Sequence, residues 1–152
     1  MTRPSLAAIN RLHLLQQLYG SVIIPEAVYR ELTVGIVPGA REVQNFDWIQ
    51  TRQVANRTLV AELSEAIDEG ESEAIALAIE LNAELLLIDD LKARSKAVRL
   101  GLDLIGLLAV LQEAKNQGLI PAVKPVLDEL IVIAGFRVGR ALYDRVLQDV
   151  GE

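Results

Sequence analysis

The stretch that decides the fold is GESEAIALAIELNAELLLIDDLKARSKAVRLGLDLIG, residues 70–106. Its Ala- and Leu-rich beginning predicts a helix over Glu71 to Leu81, and the apolar run that follows predicts a short strand over Leu85 to Ile88. A second helix is predicted over Leu91 to Leu100 and a second strand over Leu102 to Ile105. Strand, about ten helical residues and strand are typical of a βαβ unit, and a wholly apolar strand is typical of a parallel sheet covered on both faces.

The rest of the chain continues this alternation. Ser21 to Ile24 predicts a buried β-branched strand, and the proline that follows predicts a helix over Pro25 to Leu32, because proline is favoured at the first helical position. Trp48 to Val54 alternates apolar and polar residues and predicts a half-exposed edge strand. Further helices are predicted over residues 5–18, 59–67, 106–116, 122–134 and 140–150. The predicted fold class is α/β, with residues 1–152 in a single domain.

Composition excludes several classes of protein. The chain has 152 residues, of which 51% are hydrophobic and only 4% aromatic, so its core is aliphatic. The absence of Cys excludes disulfides and thiolate metal sites. No apolar run approaches the roughly 20 residues that span a bilayer, and no signal-peptide pattern is present, so a cytoplasmic protein without membrane segments is expected. A net charge of −6 argues against a protein that coats nucleic acid, but not against an enzyme that handles nucleic acid through a bound cation.

Acidic residues are expected to meet at one edge of the sheet. Glu31 lies on the helix after the first predicted strand, Asp89 and Asp90 end the strand of the quoted stretch, and Glu71 and Glu73 begin the helix before it. Ligands bind outside the carboxyl ends of parallel strands, and a helix antiparallel to its following strand starts at that edge. Mg²⁺ and Mn²⁺ prefer carboxylate and water ligands. Such a cation polarises a phosphodiester and activates water for its hydrolysis.

The same residues also have a purely structural interpretation. Asp89 or Asp90 is suited to cap the helix that begins at Leu91, and Glu71 is favourable in a first helical turn. A basic set follows the acid pair and is interpreted either as a phosphate-binding rim or as the solvated face of an amphipathic helix. It comprises Lys92, Arg94, Lys96 and Arg99. The only histidine, His13, lies in no recognisable motif, so catalysis by a nucleophile and a histidine has no support.

Three segments, in this order, resemble the PIN domain. They are Val22-Ile23-Ile24-Pro25-Glu26-Ala27-Val28-Tyr29-Arg30-Glu31-Leu32, Gly70-Glu71-Ser72-Glu73-Ala74-Ile75-Ala76-Leu77-Ala78 and Leu86-Leu87-Ile88-Asp89-Asp90. The tail, with Gly135-Phe136-Arg137 followed by Leu142-Tyr143, is similar to a group of uncharacterised bacterial and archaeal PIN-like proteins. The resemblance extends over nearly the whole chain.

The resemblance implies a three-layer α/β/α fold around a parallel sheet. Many PIN domains are Mg²⁺- or Mn²⁺-dependent ribonucleases, including the toxins of toxin–antitoxin pairs, and they commonly form dimers. The resemblance therefore implies an endoribonuclease for single-stranded RNA, with an antitoxin protein as partner and a homo-oligomeric assembly. The alternative is a non-catalytic PIN-like module that binds nucleic acid or protein.

The resemblance also assigns metal ligands to positions in this sequence. The family holds its metal with three or four acids. The second acid corresponds to Glu31, the third to Glu71 with Glu73 as the alternative, and the fourth to Asp90 with Asp89 beside it.

The first acid of the family does not carry over. It lies on the opening strand, in a pattern like Asp-Thr-Ser-Pro-Leu, and would fall before Met1. Residues Met1 to Leu6 contain neither an acid nor an apolar strand. Loss of a central strand is expected to leave backbone groups of neighbouring strands short of partners, and loss of its Asp weakens the case for nuclease activity. Either the start of the chain has been set too late, or the chain is a degenerate member of the family.

Overall fold

Helices and short strands alternate along the chain in the computed structural model, which describes residues 11–33 and 47–152. In chain order they are α1 (His13–Tyr19), β1 (Val22–Pro25), α2 (Glu26–Thr33), β2 (Ile49–Arg52), α3 (Arg57–Leu63), α4 (Glu69–Glu80), β3 (Leu86–Leu87), α5 (Leu91–Arg99), β4 (Leu104–Ile105), α6 (Leu107–Asn116), α7 (Val123–Val132) and α8 (Arg140–Asp149). The beginning of the helix predicted over residues 5–18 lies outside the described residues. So does most of residues 33–41, where Gly35, Pro38 and Gly39 predict a loop.

The described strands form two separate parallel pairs. β1 pairs with β2, where Val22 lies opposite Ile49, and β3 pairs with β4, where Leu86 lies opposite Leu104. The second pair is joined through α5, which confirms the βαβ unit predicted from residues 70–106.

Side chains of β3 and β4 point alternately to two apolar clusters, as the two-residue period of a strand requires. Leu86 and Leu104 pack against a cluster that α4 and α5 share. Leu87 and Ile105 pack against the larger cluster, to which α1, α6, α7 and α8 contribute. Helices therefore cover both faces of the strands, and the α/β fold predicted from the sequence is confirmed.

Two local predictions about the strands were wrong. Pro25 ends β1 instead of starting α2, opposite Arg52. The amide of Val22 bonds to β2, and in a parallel pair every second residue does so. The backbone groups of Ile23 and Pro25 therefore point away from β2. Because Pro25 would not bond to β2 in any case, its missing N–H removes no hydrogen bond from this pair of strands. Trp48 to Val54 contains the predicted strand, β2, which pairs on one side only in the described residues, but its burial does not alternate, because Ile49 is buried and the next three residues are exposed.

The predicted burial of Leu85 to Ile88 on both faces was also wrong. Leu85 is 41% exposed and Leu87 is half-buried, whereas Ile88 is only 2% exposed. In the described part of the structure β3 has a hydrogen-bonded strand on one side only, and this leaves its other edge open.

Candidate functional site

The carboxyl ends of β1 and β3 lie at the same edge of the molecule, beside the first turn of α4. Ala27, the second residue of α2, donates its amide to Glu73 Oε1 over 3.0 Å. Asp90, after β3, is close enough to Glu71 for its charge to raise the pKa of Glu71. The sequence prediction that these acids meet at one edge is therefore correct for the start of α4 and the ends of both strands.

Glu31 reaches this edge across a glycine. Its Oε1 lies so close to Gly70 that a Cβ at residue 70 would overlap it, and its Cδ lies 3.3 Å from that Cβ position. Oδ1 of Asp68 lies 3.6 Å from the same position. Gly70, in the first turn of α4, thus lets two carboxylates approach each other.

Asp68 holds the start of α4. Its Oδ1 accepts the amide of Glu71 over 2.8 Å, and its carbonyl oxygen accepts the hydroxyl of Ser72 over 2.7 Å. This N-cap fixes the first turn, and Glu71 is only 4% exposed there. Asp68 was not recognised as a site residue from the sequence, although an acid three residues before Glu71 is the pattern of an N-cap.

The charges of these carboxylates are coupled. Burial raises the pKa of Glu71, and the negative charges of Asp68 and Asp90 raise it further. Loss of water around the Glu31 carboxylate raises its pKa, and Asp68, Glu71 and Glu69 add to the effect. Asp68 thus acts on the pKa of both Glu31 and Glu71, and Asp90 acts on the pKa of Glu71, because nearby negative charges disfavour the ionised form of a carboxyl group. We call these four groups the acidic edge.

Asp90 combines two roles at the acidic edge. Its Oδ2 caps α5 by accepting the amide of Ala93 over 3.0 Å. The helix-cap interpretation of the acid pair is therefore correct for Asp90. A cap uses one oxygen, so the same carboxylate still contributes its charge to Glu71.

The Asp89 side chain bonds to the first residue of α6. Its Oδ1 accepts the amide of Leu107 over 2.9 Å. Burial raises the pKa of Asp89, while the Leu107 amide and the positive charge of Arg94 act in the opposite direction. Asp89 thus ties the end of β3 to the start of α6.

Glu73, the alternative third acid, has both oxygens engaged in structural contacts. It is 2% exposed, and while Oε1 accepts the Ala27 amide, Oε2 lies 3.0 Å from Nη1 of Arg57. Glu73 therefore links α4 to α2 and to α3, and Glu71 is the member of the pair that belongs to the acidic edge.

The donor chemistry of the acidic edge fits a hard divalent cation, because mutually repelling carboxylates gain most from one. Within residues 11–33 and 47–152, no three acidic or histidine side chains form a group that could hold a metal ion as they stand.

The basic residues of α5 do not all face solvent. Arg94 donates its Nη1 to the carbonyl oxygen of Ile88 over 2.7 Å, whereas Lys92 and Arg99 are exposed. Arg94 is thus committed to the end of β3, which favours the structural interpretation for this member of the basic set. His13 is exposed on α1.

Comparison with known protein families identifies one family for this chain, and that family suggests a nuclease-type domain. A sequence model described as the PIN domain matches residues 4–152. Neither a curated protein nor a solved structure matches the chain. No helix in the described ranges is long and apolar enough to cross a membrane. The match extends over nearly the whole sequence, so the chain belongs to the PIN domain family.

Proposed function

We propose that this protein is a divalent-cation-dependent endoribonuclease of the toxin type, which hydrolyses phosphodiester bonds of single-stranded RNA. Membership of the PIN domain family supports a nuclease-type domain. The single observation that carries the proposal further is the approach of the Glu31 carboxylate to the first turn of α4, where Asp68 accepts the amide of Glu71.

In this proposal Glu31, Glu71 and Asp90 are the groups that hold Mg²⁺ or Mn²⁺. The cation supplies charge neutralisation on the phosphate and a lowered pKa for attacking water. Asp89 and Glu73 do not bind the cation directly in this proposal. They hold the surrounding elements in place by accepting the amides of Leu107 and Ala27.

The protein's own residues prepare this edge in two ways. Gly70 leaves room for the Glu31 carboxylate beside α4, and Asp68 fixes the backbone that presents Glu71. Both arrangements hold negative groups together at a cost in repulsion, and a cation removes that cost.

The proposed context follows the toxin type. The protein acts in the cytoplasm as a single domain over residues 1–152, assembles as a homo-oligomer, and pairs with an antitoxin protein. The acidic net charge of −6 supports RNA binding through the cation rather than through a basic surface.

A second candidate is a non-catalytic PIN module that binds nucleic acid or protein. The observation in its favour is that the described acids do not assemble a three-ligand group.

Cleavage of a labelled single-stranded RNA in Mn²⁺ separates the two candidates. We expect cleavage by the wild type that is lost in EDTA and in Glu71→Gln, and retained in Glu65→Gln, which changes an exposed acid outside the acidic edge. Calorimetry with Mn²⁺ alone should show binding that Glu71→Gln weakens. If the wild type and Glu71→Gln are equally inert and bind Mn²⁺ equally, the non-catalytic module is correct.

A further inference from the structure

Three cations lie in a row along α5. Residues at positions i, i+4 and i+7 share one side of an α-helix, over a length of about 10 Å. Lys92 and Arg99 are exposed, and Lys96 between them is half-buried. Arg94, two positions after Lys92, points to another side of the helix and donates to the carbonyl oxygen of Ile88. We call Lys92, Lys96 and Arg99 the basic stripe.

The charges of the basic stripe are not neutralised by acids of the described residues. None of its members forms an ion pair within residues 11–33 and 47–152, whereas Lys115 of α6 and Lys124 of α7 each pair with a carboxylate. Like charges three and four residues apart repel one another on a helix, and a cation in the first turn, where Lys92 lies, is unfavourable. A polyanion laid along the stripe would remove this repulsion.

The basic stripe begins at the acidic edge. Asp90, a member of that edge, caps α5 by accepting the amide of Ala93, so Lys92 lies in the helical turn next to it. The helix then runs away from the edge, because α5 returns the chain from the end of β3 to the start of the parallel strand β4. A ligand that contacts both the acidic edge and the stripe is therefore elongated, and it extends from the carboxyl ends of the strands toward their amino ends.

Two exposed apolar side chains accompany the basic stripe. Leu91 and Val98 are 82% and 62% exposed, and their spacing of seven residues places them on one side of α5, next to Lys92 and Arg99. The exposed Ser95 lies between the apolar and the basic sides. A single-stranded nucleic acid offers unpaired base faces as well as phosphates, whereas a duplex hides its base faces in the stack. Apolar groups beside cations therefore suit a single strand.

We propose that the basic stripe binds phosphates of a single-stranded RNA on one side of the bond held at the acidic edge, with Leu91 and Val98 against its bases. The identity of this polyanion rests on the proposed function, which brings RNA to the acidic edge. Phosphates of a stacked strand follow one another at about 3.4 Å along its axis, so the stripe accommodates about three of them. The net charge of −6 describes the whole chain, and the stripe adds a local contact to the one that the cation makes with the reacting phosphate.

The salt dependence of RNA binding without metal tests the proposal. The probe is a labelled oligouridylate of about 12 nucleotides, and its anisotropy is measured with the full chain in EDTA over a range of KCl concentrations. For single strands, the logarithm of the binding constant falls with the logarithm of the salt concentration, with a slope of about −0.7 for each phosphate contact. We expect the triple variant Lys92→Ala, Lys96→Ala and Arg99→Ala to make this slope shallower by about 2 and to bind at least about tenfold more weakly at low salt. An RNA duplex of the same length should compete poorly.

A charge-matched control separates the basic stripe from net charge. The triple variant Arg137→Ala, Arg140→Ala and Arg145→Ala also removes three exposed cations, but from α8 and the segment before it, which pack on the other apolar cluster. We expect it to bind the RNA as the wild type does. The single variant Lys92→Ala should make the slope shallower by about 0.7 without a loss of stability in urea, because a cation in the first turn does not stabilise a helix.

Four results would overturn the proposal. They are the absence of RNA binding by the wild type; equal losses in the two triple variants, which indicate an effect of net charge alone; equal competition by the duplex, which indicates that base faces are not contacted; and displacement of the RNA by poly-L-glutamate at equal charge concentration, which indicates an acidic protein as the partner. The nuclease proposal fails separately, through Mn²⁺ binding and cleavage. Its failure leaves metal-free RNA binding by the stripe intact, and failure of the stripe leaves Mn²⁺ binding and its dependence on Glu71 intact.

Discussion

Oε1 of Glu31 lies against Gly70, in the place that any larger residue at position 70 would require. The contact joins α2 to the first turn of α4, next to the cap formed by Asp68. Glycine lowers the stability of a helix by about 1 kcal/mol relative to alanine. At position 70 this loss of helix stability is accompanied by room for the Glu31 carboxylate.

The substitution Gly70→Ala should therefore weaken Mn²⁺ binding without lowering the thermal stability of the protein. The added methyl group displaces the flexible Glu31 side chain, while the helix gains up to about 1 kcal/mol from alanine. We expect an unchanged or higher Tm and weaker Mn²⁺ binding by calorimetry. Gly139→Ala is the control, because a Cβ there meets nothing within 4 Å. A Gly70→Ala protein with wild-type metal affinity would show that Glu31 does not bind the cation.

Asp90→Asn should remove charge without removing the helix cap. Asparagine caps a helix as well as aspartate does, so the amide of Ala93 keeps its acceptor and the unfolding free energy should change by less than about 0.5 kcal/mol. Mn²⁺-dependent cleavage should fall by at least about tenfold, since a charged ligand is lost. A loss of stability as large as the loss of activity would contradict this separation, and urea unfolding measures it.

Glu73 should be a stability residue. Glu73→Ala leaves the buried amide of Ala27 without its acceptor and Arg57 without its partner, and should cost about 2–4 kcal/mol, a fall in Tm of roughly 5–10 °C. Glu73→Gln keeps an oxygen for Ala27 and should cost less than half as much. Glu65→Ala is the surface control. If Glu73→Ala melts at the wild-type temperature, α4 is not anchored through this residue.

Stability should pass through a maximum at mildly acidic pH. Burial raises the pKa of Glu31, Glu71 and Asp89 in the folded protein, so their protonation favours folding and stability rises as the pH falls from neutral toward their ordinary values of 3.8 to 4.5. Asp128 and Glu152 have lowered pKa values in the folded protein. They stabilise the fold above their ordinary pKa values, and this stabilisation is lost as the pH falls from there through the lowered pKa values of the folded protein. The two opposite trends together give the maximum.

Unfolding in urea between pH 4 and 7 measures this profile, with Glu71→Gln as the comparison. The variant should be more stable than the wild type at pH 7, because a buried charge is removed, and its profile should be flatter. Saturating Mn²⁺ should stabilise the wild type at pH 7, and this effect should decrease as the pH falls, because protons compete with the cation for the carboxylates. A wild-type profile that falls steadily below pH 7 would contradict the coupling of the acidic edge.

Local pattern predicted most of the elements because each depends on neighbours in the chain. The apolar run before Asp89 became β3, and the Ala- and Leu-rich segment before it became α4. The errors occurred where a distant partner decides the outcome. Pro25 joined a strand because Arg52 lies opposite it, and Leu85 is exposed because nothing in the described residues pairs with the open edge of β3.

The sequence by itself determined the α/β order and the placing of Glu31, Glu71 and Asp90 at the carboxyl ends of strands, because helix and strand periods and turn residues are local. Only the tertiary structure decided that Glu73 bonds to Ala27 of α2 and Arg57 of α3, and that Asp89 bonds to the start of α6. It also decided that Gly70 makes room for Glu31. Those roles depend on which groups meet across the fold, and a buried carboxylate takes whichever donors packing brings to it.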